Sequence, residues 1–349
     1  MKISFISTQT VNQGVRSTLA RMQTDLVKAQ KELSTGRVAD QGLALGAQAG
    51  RSVSLARDIE RLGVMIDTNA LAAGRLSTTQ DALGQIGNLA QSFLGTLTST
   101  GAGSATEEVA RQDAANSLAA LTAVINSNLN GEYIFAGINT DVQPLNDFFA
   151  PGSLAKASLD AAFLGHFGFT QTDPAAATIT AADMQAFLDT VAEPLFLGGG
   201  WAGNWSNASD QAIVTRIALH ETAETSVSAN NDGTRKLVMA TALVADLLRG
   251  PLSTAGREVL FDKAVQLAGA ATADIADLQA TTGLIEQRIT RANERLSMQI
   301  EIFERGVHDL EAVDPYELSI RISTLLGQIE TSYALTARIH QLSLVRYLP

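Results

Sequence analysis

The chain has 349 residues, 46% of them hydrophobic, and sets 36 acidic against 25 basic side chains for a net charge of −11. That length and apolar content suit a substantial core and two or three domains, while the acidic balance with scattered Lys and Arg removes the counterion-release driving force for nucleic acid. There is no cysteine for a disulfide, a thiolate nucleophile or Cys-ligated zinc, and no apolar run approaches the ~18 residues of a membrane span, so neither nucleic acid nor membrane is expected as a partner.

The opening residues, MKISFISTQTVNQG, hold only a four-residue apolar stretch, too short for a secretory signal peptide. Val15, Leu19, Met22, Leu26, Ala29 and Leu33 then follow at spacings of 4, 3, 4, 3 and 4, the a/d repeat of a helix that buries one seam against a partner. The stretch STGRVADQGLALGAQAG interrupts it, and its four glycines predict a loop or extended connector. Heptad spacing resumes at Leu55, Ile59, Leu62, Ile66, Asn69, Ala73, Leu76, Gln80 and Leu83 and stays in register through Ala90 and Leu97, which predicts one very long helix. Ser104 and Glu107 have capping-box spacing and open a helix with Val109, Leu118, Leu121, Ile125 and Leu129, ending near Asn130-Gly131.

Residues 131–145, GEYIFAGINTDVQPL, break the helical pattern: Tyr133 and Phe135 alternate with Ile134 before a polar turn and a proline. This predicts an aromatic hairpin, which is marginal alone and needs a surface to lie on. From here the aromatics concentrate, 11 of 18 lying between Tyr133 and Trp205. Residues 146–229 read as a compact α+β insert, with a short helix after Thr180 carrying Met184, Phe187, Leu188 and Val191, strands at AIVTRIAL and ETSVSA, and a turn at NNDG. Leu278, Ile285, Ile289, Ala292, Leu296, Phe303 and Leu310 then restore heptad spacing. After VDPYE, where Asp314 supplies the N-cap, Pro315 the first turn and Glu317 the third helical position, a final helix carries Leu318, Ile322, Leu325, Ile329 and Ile339 on one stripe.

Candidate chemistry is sparse. HETAE, residues 220–224, lacks the second histidine of a zinc-protease motif and alternates like a strand. GGGWAG, residues 198–203, matches G-x-G-x-x-G in letters only, since no strand precedes it and no helix follows. His166, His220, His308 and His340 have neither metal nor triad spacing, and no cofactor, metal or catalytic residue is expected. The expected fold is therefore mainly α: long antiparallel heptad helices from both chain ends forming a rod, with a β-hairpin and a small α+β inserted domain. Its parts are terminal coiled-coil segments 1–40 and 312–349, a helical rod 41–145 and 230–311 with the hairpin at 131–145, and the insert 146–229. A two-helix pair at the termini leaves much apolar surface uncovered, so those segments are expected to order on a partner. The expected assembly interface is Val15, Leu19, Met22, Leu26, Leu33, Leu318, Ile322, Leu325, Ile329 and Ile339.

Taken in order, MKISFISTQT, ELSTGRVADQG, GEYIFAGINTDVQPL and SYALTARIHQLSLVRYLP resemble the flagellin superfamily, and within it the hook-filament junction proteins, the third hook-associated protein of the bacterial flagellum. The resemblance spans both helical ends. It implies a non-enzymatic structural adaptor, exported unfolded through the flagellar type III apparatus after an export chaperone has held its C-terminal helix. Outside the cell, neighbouring copies would form a layer between another hook-associated protein on the hook side and flagellin on the filament side, with Tyr133 and Phe135 packing the hairpin at a subunit contact. Two alternatives stand beside it: a flagellin filament subunit, or an enzymatic or adhesive insert on a flagellin-like stem.

Overall fold

The computed structural model describes residues 8–99 and 104–341, without the side chains of residues 8, 9, 11, 12, 104–106 and 339–341. The fold is mainly α. In chain order the elements are α1 (Thr8–Thr35), α2 (Gln41–Leu45), α3 (Ala49–Ser99), α4 (Ser104–Ile125), β1 (Asn128–Leu129), β2 (Glu132–Tyr133) and α5 (Leu154–Phe167). They continue with α6 (Ala181–Phe187), α7 (Glu193–Phe196), β3 (Val214–Ala218), β4 (Glu221–Glu224), α8 (Asp232–Leu247), α9 (Thr254–Glu311) and α10 (Pro315–Gln341). No described helix is long and apolar enough to cross a membrane. The capping box expected of Ser104 lies outside the described side chains.

The chain divides into two compact units, Met1–Gly63 with Leu296–Pro349, and Val64–Arg295. The boundary between these units falls inside α3 and α9, whereas the division expected from the sequence lies at the Gly-rich connector and the Asp314-Pro315 break. Nor is 146–229 a separate outer domain. Phe148, Phe163, Phe187, Phe196 and Trp205 are buried in one core with Phe93 of α3, Leu118 of α4, Leu243 of α8 and Leu260 of α9. The cause is α8, buried on nearly every residue from Leu237 to Leu247: a helix apolar all round must be enclosed, and the insert supplies the enclosure.

The expected hairpin at 131–145 is also displaced. Its strands are β1 and β2, pairing Asn128 with Tyr133 and Leu129 with Glu132 across Asn130-Gly131. Both turn residues have positive φ, 55° and 87°, the type I′ geometry for which Asn-Gly is suited. Residues 134–145 form a turn-rich strap, in which Ile134, Phe135 and Ala136 are buried consecutively and not alternately. The Phe135 carbonyl accepts from Ala229 N at 2.7 Å, and Gly137, at φ +64°, passes so close to Ser209 that a Cβ would lie 2.4 Å from its carbonyl oxygen. The strap is thus pressed into the core of the second unit.

β3 falls where AIVTRIAL predicts a strand, and it pairs with ETAE, whose alternation within HETAE also reads as strand, while ETSVSA forms no strand beyond Glu224. NNDG is not a free turn: Asn231 caps α8 by accepting from Thr234 N at 2.9 Å. The β3–β4 hairpin lies across α3 and α9. The Asn69 amide donates to Ile217 O at 2.9 Å and to Asn293 Oδ1 at 2.7 Å, Arg288 Nη2 donates to Thr222 O at 3.1 Å, and Ile217 and Ala223 share a small core with Leu76, Ile289 and Ala292.

One buried carboxylate joins α5 to α8. Asp246 accepts from Gln171 Nε2 at 3.1 Å and lies 3.2 Å from Lys156 Nζ, which also holds Asp160, with Arg249 at 3.9 Å. Burial pushes the Asp246 carboxyl above the ordinary aspartate range, and Lys156 opposes that rise. An acid whose folded pKa is raised holds its proton more tightly folded than unfolded, so this group makes stability fall as pH rises through that window. Asp246→Asn should flatten the slope, read from denaturation midpoints between about pH 3 and 7. In the same measurements Phe135→Ala should cost roughly 3–5 kcal/mol for a fully buried ring, whereas the half-buried Tyr133 should cost clearly less on truncation.

Candidate assembly interface

In the first unit α1 and α10 pack against each other as antiparallel helices, joined at one end by a bridge between Arg37 and Ala312 and further along by Gln23 Nε2 donating to Tyr333 Oη at 2.9 Å. The heptad residues form the seam. Ala29, Leu318 and Ile329 are buried; Val15, Leu19, Met22, Leu26, Ile322 and Leu325 are half-buried; Leu33 is exposed. The Ile339 side chain lies outside the described residues, as do residues 1–7 and 342–349 of the terminal motifs. The two terminal helices are thus each other's partner, the two-helix pair expected of the chain ends. Tyr133 and Phe135 belong to the second unit.

Two helices bury one stripe each, and these two carry more than one. Tyr316 is 82% exposed, Ile320 69% and Val27 64%, and on the wheel Tyr316 and Ile320 lie opposite the Leu318–Ile322 seam. Leu326, Tyr333 and Leu335 are exposed as well. These apolar side chains of α1 and α10 are left uncovered within the described chain.

The α1–α10 pair is pinned by a cluster that heptad spacing does not reveal. Glu311, at the last turn of α9, is 2% exposed and accepts hydrogen bonds from Ser52 Oγ and, at 2.8 Å, Gln41 Nε2, with Arg37 Nη1 at 3.5 Å. Its carbonyl accepts from Val38 N at 2.9 Å, and Val313 N donates to Gly36 O at 3.2 Å. Glu32 accepts from Ala39 N at 3.0 Å, and Asp40 caps α2 through Leu43 N. ELSTGRVADQG is thus a clasp whose polar residues each hold a backbone or a buried charge, with Gly36 at φ +68° turning the chain out of α1. The signal present in the sequence is Glu311 itself, four residues after buried Val307 on the apolar face of α9. At the other side of the clasp Asp314 Oδ1 accepts from Tyr316 N at 2.8 Å, as the Asp-Pro start signal predicts.

Removing the clasp's carboxylate leaves Gln41 and Ser52 without an acceptor. Glu311→Ala should therefore cost on the order of 3 kcal/mol in denaturant unfolding and speed amide exchange at Val38 and Val313. Arg37→Ala, at a side chain 55% exposed, should cost under about 1 kcal/mol.

Residues 6–140 match the bacterial flagellin N-terminal helical region, and residues 265–348 match the bacterial flagellin C-terminal helical region. No curated protein matches the chain in sequence. Among solved structures, one from Vibrio parahaemolyticus assigned as a flagellar hook-associated protein superposes with a TM-score of 0.52 at 12% identity, over 76% of this chain and 97% of that one, a likeness of fold. The two matched helical regions together span more than half of the chain, which belongs to the flagellin superfamily and is a structural, non-enzymatic component of the bacterial flagellum.

Proposed function

We propose that this protein is the adaptor of the hook-filament junction, assembled outside the cell as a layer of copies between another hook-associated protein and flagellin. One observation carries the assembly reading: α1 and α10 cover each other along a single seam and leave Val27, Tyr316 and Ile320 bare. Covering such faces on association contributes about 25 cal/mol per Å2 of apolar area. The junction position draws its support from GEYIFAGINTDVQPL and from the hook-associated assignment of the Vibrio parahaemolyticus structure. In this reading the chain passes through the type III apparatus unfolded, with an export chaperone on the C-terminal helix beforehand. The second reading, a filament subunit, is favoured by the two matched regions being those of flagellin itself. Self-polymerisation of the purified chain into long filaments would decide for it.

Cells lacking this protein should keep hooks, lose filaments and shed flagellin into the medium; filaments of normal length on such cells would overturn the junction reading. A second test separates assembly from folding. Val27→Lys with Ile320→Lys changes only exposed positions to a good helix former, so monomer unfolding should stay within about 0.5 kcal/mol of the parent. The secreted variant should fail to enter the flagellum. Normal incorporation would show that these faces stay wet in the assembly.

A further inference from the structure

Within the second unit α3 and α9 meet through Asn69 and Asn293, and Gln80 Nε2 donates to Gln279 O at 2.7 Å. At 100° per residue, Asp67 and Leu71 stand on the side of α3 opposite Asn69, and Leu284 and Arg291 on the side of α9 opposite Asn293. The outward faces of the two helices therefore point away from each other. Their chemistry is complementary. On α3, Leu71 is 76% exposed, Val64 is exposed beside it, and Asp67 is exposed with no ion pair among the described residues. Leu71 stands at the rim of a groove of about 520 Å3 between α3, the β1–β2 hairpin and β3, lined also by Ala72 and Ile138. On α9, Leu284 is 63% exposed. Arg288 and Arg295 are both held by Glu221 of β4, at 3.1 and 2.7 Å, whereas Arg291 reaches only Gln287 Oε1, at 3.2 Å, and meets no carboxylate among the described residues.

We propose that the outward face of α9 in one copy packs on the outward face of α3 in a second copy, with Arg291 meeting Asp67 and Leu284 entering the groove beside Leu71. The order of residues agrees: Asp67 precedes Leu71 along α3, and Arg291 precedes Leu284 when α9 is read in reverse, as an antiparallel contact requires. Charge complementarity selects the occupant, since in a chain of net charge −11 an arginine without a carboxylate lies on one face and an aspartate without a cation on the other. Because the two faces are different surfaces on opposite sides of one molecule, the contact is heterologous and repeats from copy to copy, the geometry of a ring or layer and not of a closed dimer. This inference rests on the self-assembling structural role proposed above and specifies one of its contacts.

The cysteine-free chain makes the test direct. Full-length L71C and L284C chains are mixed at high concentration, oxidised and run on a non-reducing gel; the mixture should give cross-linked dimer, and neither chain alone should. Charge reversal supplies the second measurement. D67R and R291D should each weaken self-association in sedimentation by about tenfold or more, with unfolding midpoints unchanged, and the chain carrying both should recover. A mixture that cross-links no better than its components, or a double variant that stays as weak as the singles, overturns the contact. Failure here is distinct from failure of the junction reading, which is scored in cells: cross-linking by protein whose deletion leaves filaments intact keeps the contact and removes the position.

Discussion

Coverage of apolar stripes along very long helices is the constraint from which the rest of this molecule follows. α3 has 51 residues and α9 has 58, so at 1.5 Å per residue each is on the order of 75 Å or more in length. No single compact core closes a stripe of that length, and the cover changes along it. Phe93 and Leu97 of α3 enter the aromatic core with α4 and α8. Nearer the middle, Leu76 and Ile289 are covered by Ile217 and Ala223 of the β3–β4 hairpin. The hairpin is a lid on two helices, tied down by Asn69, Arg288 and Arg295, and that support is why a two-stranded sheet of such short strands persists at all.

What was legible in the sequence is what repeats. The heptads of residues 15–33, 55–97, 278–310 and 318–329 mark α1, α3, α9 and α10, because an apolar stripe at i, i+3, i+4 is the mark of a helix burying one face; the Asp314-Pro315 start and the Thr180 cap are local chemistry and were equally plain. α5 is not legible as a helix in the sequence, and α8 only as an undivided part of the 230–311 helical rod, for opposite reasons. In α5 Ala155, Leu159 and Phe163 face the core, but Leu154 and Leu164 face water, so the apolar residues do not outline one stripe. In α8 nearly every position is buried, so there is no contrast to trace. The hairpin lies upstream of its expected place because the aromatic alternation at Tyr133 and Phe135 belongs to a buried strap, while the turn itself is the positive-φ pair Asn130-Gly131.

Polar groups buried on apolar helix faces carry the specificity that leucines cannot. Asn69 sits in the apolar series of α3 and is fully buried; its Nδ2 donates to β3 and to α9, and its Oδ1 has no partner among the described residues. An apolar side chain there would bury as well, but it would take the donor from Ile217 O and Asn293 Oδ1 and would not distinguish one helix register from the next. Glu311 does the same at the end of α9, where a hydrophobic side chain could pack but could not gather Ser52, Gln41 and Arg37 at one point. Both sites place a polar contact where an apolar stripe alone would tolerate sliding.

Folding and association draw on different residues in consequence. The aromatic side chains are spent inside the second unit: Phe93, Phe135, Phe148, Phe163, Phe187, Phe196 and Trp205 are all buried there, and the rings at Phe163, Phe167 and Phe187 touch one another. The surfaces left bare are mostly aliphatic and lie on single helix faces: Val27 on α1, Ile320 on α10, Leu71 on α3, Leu284 on α9. A bare aliphatic side chain on an otherwise polar helix face adds little to an isolated chain and gains its burial only when a second surface arrives. An aromatic core that closes by itself, with shallow aliphatic faces outside it, assigns folding to one set of residues and leaves another set free for contacts between copies. Scattering the apolar contacts over several helices keeps any one exposed patch small, while their sum over an assembly of copies is large.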